Sequence, residues 1–213
     1  MLFVDRKKIG GAMAGRPREF DRNVALVRAQ RAFWTRGYEG TSMADLVNAL
    51  GIASARIYAA FGSKVALFRE AVEHYEAGAG GFATRALAEE LTARQAIERL
   101  LREAVELYTR GDGPKGCMVV AAATNCAAEN DAVADWLAER RRLRTASIVE
   151  RLERAVTEGE LPSSSDAAAL GDHYAALLHG LSVQARDGVP RERLLALIPP
   201  ALTLLGPTTP DPI

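Results

Sequence analysis

Between Thr41 and Lys64 the chain sets Thr41, Ser42, Ser54, Arg56, Tyr58 and Lys64 at intervals that suit one task, holding a polyanion. Thr41, Ser42 and Ser54 stand at the starts of short apolar-periodic runs, where a helix leaves backbone N–H groups and a hydroxyl for phosphate oxygens. Lys64 begins the next run as a compact positive charge. Between them Ile57 must face inward, which directs Ala55, Arg56, Ala59 and Ala60 outward. An arginine there can reach a base edge or a phosphate. The alanines let a helix backbone approach a groove closely and touch a thymine methyl, so these residues read as a nucleic-acid interface.

Such groups work only if short rods hold them at a fixed angle, and the spacing supplies the rods. A first helix is expected from Asp21 to Arg36, with Leu26, Ala29 and Phe33 inward and Gly37 ending it. Thr41 or Ser42 caps a second, striped by Met43, Leu46, Val47 and Leu50 and stopped by Gly51. Only Ile52 and Ala53 separate that stop from Ser54, the expected N-cap of a third helix carrying Ile57, Tyr58 and Phe61. Two short helices across a three-residue turn have the dimensions of a helix-turn-helix, whose second helix enters the major groove. Ser63 caps a fourth helix with Leu67, Phe68 and Val72 inward, and Gly78, Gly80 and Gly81 then predict a flexible break.

Downstream, Thr92 caps a helix to about Arg110, and Cys117–Ala128 reads as a short buried helix interrupted only by Thr124 and Asn125. Asp131 caps the longest helix, ending near Gly159, with Leu143 among its inward residues and Arg140-Arg141-Arg142 outward as a solvated face. Asp166–Arg186 is apolar around most of its circumference and needs two apolar neighbours; the last helix, from Pro190 to Leu205, is bent at Pro199-Pro200. No run alternates with period two, so the class is all-α. The organisation expected is a mobile basic arm over 1–19, a helix-turn-helix domain over 20–78, a helical ligand-binding and dimerisation domain over 79–206, and a disordered tail over 207–213.

Net charge is zero, yet Met1–Glu76 carries 12 Lys and Arg against 8 Asp and Glu, leaving an acidic remainder. That asymmetry suits a chain of which one part meets phosphates. Two cysteines, Cys117 and Cys126, are too few for a disulfide framework, and the absence of a charged-then-apolar leader points to the cytoplasm. The richest apolar stretch, Tyr174–Val183, is broken by His179 and Gly180, which argues against membrane insertion. There is no phosphate-binding glycine loop, nucleophile elbow or HExxH, so no enzyme, cofactor or metal is expected. His173 and His179 are six apart with no further ligand beside them, which reads as hydrogen-bonded or cavity-lining histidine rather than zinc.

Gly37-Tyr38, Gly40-Thr41-Ser42, Gly51-Ile52, Ile57-Tyr58, Phe61, Ser63-Lys64 and Leu67 together resemble the N-terminal signature of the tetracycline-repressor (TetR) family. The resemblance covers about Phe20 to Tyr75 and departs from the commonest pattern in Ala53, Ala55-Arg56 and Ala59-Ala60. It implies a homodimer that places two Ser54–Phe61 helices in adjacent major grooves of double-stranded operator DNA, with phosphate contacts on Thr41, Tyr58 and Lys64, and that usually represses a nearby gene. The two C-terminal helices are the expected dimer bundle, on their two-sided apolarity. Tyr108, Met118, Thr124, Asn125, Trp136, His173 and Tyr174, with Gln184, are the candidates for orienting a small-molecule effector in a mostly apolar cavity, or for satisfying one another. A helical enzyme and a helical adaptor that binds only protein are the alternatives; both predict indifference to DNA.

Overall fold

The computed structural model describes residues 20–122 and 130–206; Thr124, Asn125, Cys126, the basic arm and the C-terminal tail lie outside them. Among the described residues the regular elements are all helical. α1 (Arg22–Arg36), α2 (Met43–Leu50), α3 (Ser54–Phe61) and α4 (Lys64–Ala77) form one group. α5 (Phe82–Glu89), α6 (Ala93–Thr109), α7 (Met118–Ala121), α8 (Asp131–Thr157), α9 (Ala167–Arg186), α10 (Arg191–Leu195) and α11 (Ile198–Leu202) follow.

The caps explain most of the boundaries. Asp21 accepts from the backbone of Asn23 and Val24, and Ser42 and Asp45 make a reciprocal capping box at α2. Thr92 and Gln95 make a second at α6. Two expected caps fall one residue late: α3 begins at Ser54 behind an Ala53 cap, and α8 begins at Asp131 behind Asn130, neither with a side-chain bond. α2 and α3 meet through Gly51 at φ 70°, a left-handed turn open at no cost only to glycine.

α1 and α4 pack around an aromatic knot in which the rings of Phe33 and Tyr38 each lie 5.1 Å from that of Phe68, edge-on. Leu46, Ile57 and Leu67 close the same core. In the second group α8 and α9 pack along each other while α5 and α6 cover them. α5 was not anticipated. The glycines expected to form a flexible break instead make a packed 3-10 turn, with Gly80 and Gly81 buried against Tyr75 and the end of α4. The expected final helix is three short pieces, because Pro199 and Pro200 cannot supply the N–H groups that would continue α10. Leu143, expected inward, is half exposed. No helix among the described residues is long and apolar enough to cross a membrane.

Candidate nucleic-acid interface and adjoining cavity

α3 buries Ile57 and Phe61 and turns Ser54, Ala55, Arg56, Tyr58 and Ala59 to solvent. The Arg56 side chain makes no hydrogen bond or ion pair among the described residues, so a guanidinium and a 48 % exposed tyrosine stand on a face otherwise made of small side chains. Lys64 at the start of α4 holds its ammonium 4.2 Å from the centre of the Tyr38 ring. Partial burial pulls its pKa down, and Glu39 and Asp45 push the other way.

Two arginines outside the sequence-predicted set fix α2 and α3. Arg22 donates to both carboxylate oxygens of Glu70, at 2.5 and 2.7 Å, and to the Ala60 carbonyl at 3.3 Å, with its guanidinium 4.5 Å from the centre of the Phe61 ring. Arg28 donates to the Leu50 carbonyl, closing the end of α2.

Thr41 requires a correction. It is fully buried and donates its hydroxyl to the Gly37 carbonyl at 2.7 Å, so it shapes the turn into α2 and offers no hydroxyl outward. Ser42 is exposed, but its hydroxyl and backbone N–H both engage Asp45. Those two bonds, and then Arg36, hold the Asp45 carboxyl below its ordinary range.

A cavity of about 30 Å³ lies where α4, α5, α6, α7, α8 and α9 converge. Tyr75 and Glu76 of α4, Phe82 and Ala83 of α5, Tyr108 of α6, Cys117, Val119 and Val120, and Arg140, Arg141 and Arg144 of α8 line it, with Leu178 and His179 of α9. Arg140 pairs with Glu76, and the Tyr75 hydroxyl contacts the Cys117 sulfur at 3.6 Å. Burial first, and Cys117 second, raise both tyrosines well above the ordinary phenol value, so both stay protonated donors. Burial and then Arg141 pull His179 below 6.5.

Of the expected effector-orienting residues, Tyr108 lines this cavity. Met118 is buried beside it but not among the lining residues. Trp136 packs on Phe68 and under Arg69 and Arg140 instead. His173 is exposed, and Tyr174 spends its hydroxyl on the Ala201 carbonyl at 3.0 Å. Thr124 and Asn125 lie outside the described residues. The arginine run is corrected as well: Arg142 is exposed, whereas Arg140 and Arg141 turn into the cavity. Recurrence at 140, 141 and 144 was the available signal, since those positions share one side of a helix.

The cavity wall is tied to the DNA-facing group. Trp34 of α1 donates its ring N–H to the Gly116 carbonyl at 2.9 Å, and Ser182 of α9 accepts from the Cys117 N–H at 2.8 Å. Gly116 sits at φ 73°, and a Cβ there would lie 2.7 Å from the Ser182 carbonyl oxygen. Arg186 of α9 reaches the Trp34 and Thr35 carbonyls at the end of α1.

Residues 25–71 match the family described as bacterial regulatory proteins, tetR family, and residues 93–187 match the tetracyclin repressor-like C-terminal domain. The chain is 30 % identical over 191 residues to the HTH-type transcriptional repressor ComR of Escherichia coli (strain K12), covering 89 % of this chain and 91 % of ComR. It belongs to the TetR family. It is also 31 % identical over 147 residues to the HTH-type regulator YezE of Bacillus subtilis (strain 168), covering 69 % of this chain and 76 % of YezE. A solved structure of the TetR-family transcriptional regulator CifR, a cysteine mutant complexed with 26 bp double-strand operator DNA, superposes with a TM-score of 0.84. The two chains are 46 % identical, with 88 % of this chain and 98 % of CifR covered. The all-α architecture, with its helix-turn-helix ahead of a helical second domain, is therefore that of TetR regulators.

Proposed function

We propose that this TetR-family protein is a homodimeric transcriptional repressor that reads operator DNA with the exposed face of α3 and is released from it by a small molecule bound in the cavity. The observation that carries the reading is Arg56, an uncommitted guanidinium on a helix held rigidly by Arg22 and Gly51. Tyr58 and Lys64 flank it as phosphate-binding groups, phosphate competes with Asp45 for the Ser42 donors, and the small Ala55 and Ala59 admit the backbone to the groove. Residues 20–78 carry this contact and lend Tyr75 and Glu76 to the cavity; residues 79–206 supply the rest of the effector cavity and the surface for the partner protomer. The exposed Val183, Leu197 and Leu204, with half-buried Leu177, supply an apolar surface on α9 and the C-terminal pieces for that partner. The solved operator complex of CifR supports the same assignment.

Release follows from what α4 joins. Its first residue is Lys64 and its last turns hold Tyr75 and Glu76 in the cavity wall, about 17 Å away along a continuous helix. A ligand that binds better when the wall is open shifts α4, and with it the separation of the two α3 helices in the dimer, by its differential affinity for the two states. The relatives are regulators, and catalysis has no part in this reading. The test is a gel shift of the purified protein on the DNA upstream of its own gene, with and without metabolite extract. Retention by that DNA and release by the extract is the expected result; indifference to every fragment under both conditions overturns the reading.

A further inference from the structure

We infer that the basic arm, 1–19, is a second reading element: Arg16 and Arg18 enter the minor groove beside the major groove that α3 occupies and select A·T pairs there. This rests on α3 reading operator DNA and goes beyond it in adding a second groove and a base preference of its own.

The described chain begins beside the reading helix. Phe20 packs on the core, Asp21 caps α1, and Arg22 donates to the Ala60 carbonyl at 3.3 Å with its guanidinium 4.5 Å from the centre of the Phe61 ring. The arm therefore leaves the body near the C-terminal end of α3. α3 has eight residues and is about 12 Å long, so either end lies beside the duplex when its exposed face is in the groove. Neighbouring major and minor grooves are centred half a helical turn apart, about 17 Å. At about 3.3 Å per residue, Arg18 can stand about 7 Å from Phe20 and Arg16 about 13 Å, with their side chains reaching further.

The residue types fit that place. Arg6, Lys7, Lys8, Arg16 and Arg18 stand against Asp5 and Glu19, so the arm is cationic where it meets a polyanion. Pro17 disfavours helical backbone at Arg16, and in extended backbone side chains two apart share a side, so the pair suits one narrow surface. Gly10, Gly11, Ala12, Ala14 and Gly15 are small, as a groove about 6 Å wide demands. A·T pairs leave that groove lined by acceptors and free of the guanine amino group, and its narrowness deepens the negative potential that draws arginine in. α3 leaves room for such help: Arg56 is the single cation in its sequence, and its exposed neighbours Ala55 and Ala59 offer no donor to a base edge.

The experiment uses the full chain and the upstream DNA that it retains, footprinted to place the two α3 sites. Synthetic duplexes carry about five base pairs, half a turn, on either side of each site as A·T, as inosine·cytosine or as G·C, and anisotropy is followed at two salt concentrations. Inosine·cytosine keeps the A·T edge in the minor groove and the G·C edge in the major groove. A·T and inosine·cytosine flanks are expected to bind alike and about tenfold more tightly than G·C flanks. Arg16→Ala with Arg18→Ala should erase that margin and lower the salt slope by about 3.6 per dimer, four arginines at about 0.9 each. Arg56→Ala should weaken binding to all three duplexes and keep the margin. Equal binding to every flank, inosine·cytosine behaving as G·C, or a margin that survives R16A/R18A overturns the minor-groove assignment and leaves α3 as the reader. A chain that ignores all of this DNA removes the α3 reading, and the arm's role with it.

Discussion

Arg22 gives the sharpest test of how α3 is held, because two opposite roles for it predict opposite signs for its partner. In the structure Arg22 clamps the C-terminal end of α3 through the Ala60 carbonyl, the Phe61 ring and Glu70 of α4. The ion pair is half exposed and contributes about 0.5–1 kcal/mol despite its two-pronged geometry. The ring contact adds about 0.5 kcal/mol and the partly solvated bond to Ala60 about 0.5 kcal/mol. Arg22→Ala should therefore lower the unfolding free energy by about 1.5–2 kcal/mol in urea titrations. Operator affinity should fall roughly fivefold or more, since a dimer presents two loosened helices and each lowers the fraction competent to bind. Glu70→Ala decides the cause. If Arg22 serves as a clamp, removing its carboxylate partner also weakens operator binding; if Arg22 is a phosphate ligand restrained by Glu70, E70A frees it and tightens binding. Fluorescence anisotropy on a labelled operator at two salt concentrations, with the double variant completing the cycle, should give a coupling of about 0.5–1 kcal/mol. Tighter binding by E70A, or a coupling near zero, refutes the clamp.

Lys64→Ala should weaken binding to every DNA sequence and lower the salt slope by about one per site, whereas Arg56→Ala should lower operator affinity and also narrow its margin over unrelated DNA; unchanged binding in both removes α3 as the reading helix. Trp34→Phe leaves the Gly116 carbonyl without its donor and should cost about 1–3 kcal/mol in denaturant unfolding; a cost near zero means the bridge between α1 and the cavity wall is dispensable. His179 titrates below 6.5 in the folded chain and near 6.5 when unfolded, so the unfolded state binds more protons between those values and stability rises with pH across that window. Denaturation at pH 5.5 and 7.5 should show that slope flattened in His179→Gln, and an identical slope in the variant would assign it elsewhere. Arg151 is buried with Nε and Nη1 unpartnered and Glu160 as its counter-ion, so Arg151→Met should be near neutral while Glu160→Gln costs about 3 kcal/mol by thermal unfolding; the reverse order would show the pair to be a net stabiliser.

The helix-turn-helix was legible because its signals are local. Caps, glycine stops and a stripe at three and four residues are written within eight positions, and Ser42, Gly51 and Ser63 stand where those signals placed them. Thr41 and Ser54 were misread for a related reason. A hydroxyl before a helix can cap, turn inward or project, and only packing around Gly37 and Ala53 decides which. The cavity was harder because its residues come from six helices, and a polar side chain inside an apolar helix signals burial without saying what it faces. Tyr174 and Tyr108 look alike in sequence, yet one meets the Ala201 carbonyl and the other lines the cavity. The arginine run was read by the average behaviour of charges on long helices, which fails where the opposite face of the helix must pack on two layers at once. α8 is such a helix: it buries Ile148 and Leu152 and meets Gly171 of α9 with Val149, while Glu76 of α4 and the Val119 carbonyl of α7 engage Arg140 and Arg141.

That placement bears on how a signal travels. Two connections run from the cavity to the DNA-facing helices: Glu76 and Tyr75 through α4, and the Gly116–Cys117 strand of backbone through Trp34 to α1. The second is also held from behind by Ser182 and Arg186 of α9, the helix carrying the exposed apolar surface assigned to the partner protomer. The two differ in stiffness. Gly116 has no room for even a methyl group, packed as it is against the Ser182 carbonyl and hydroxyl of α9. Glu76, by contrast, is held to α8 by an ion pair with Arg140 at the cavity rim. In the proposed repressor the Gly116 connection would serve as the fulcrum and α4 as the moving arm, and a change at the cavity would then reach α3 as a rotation about the end of α1 rather than as a general loosening.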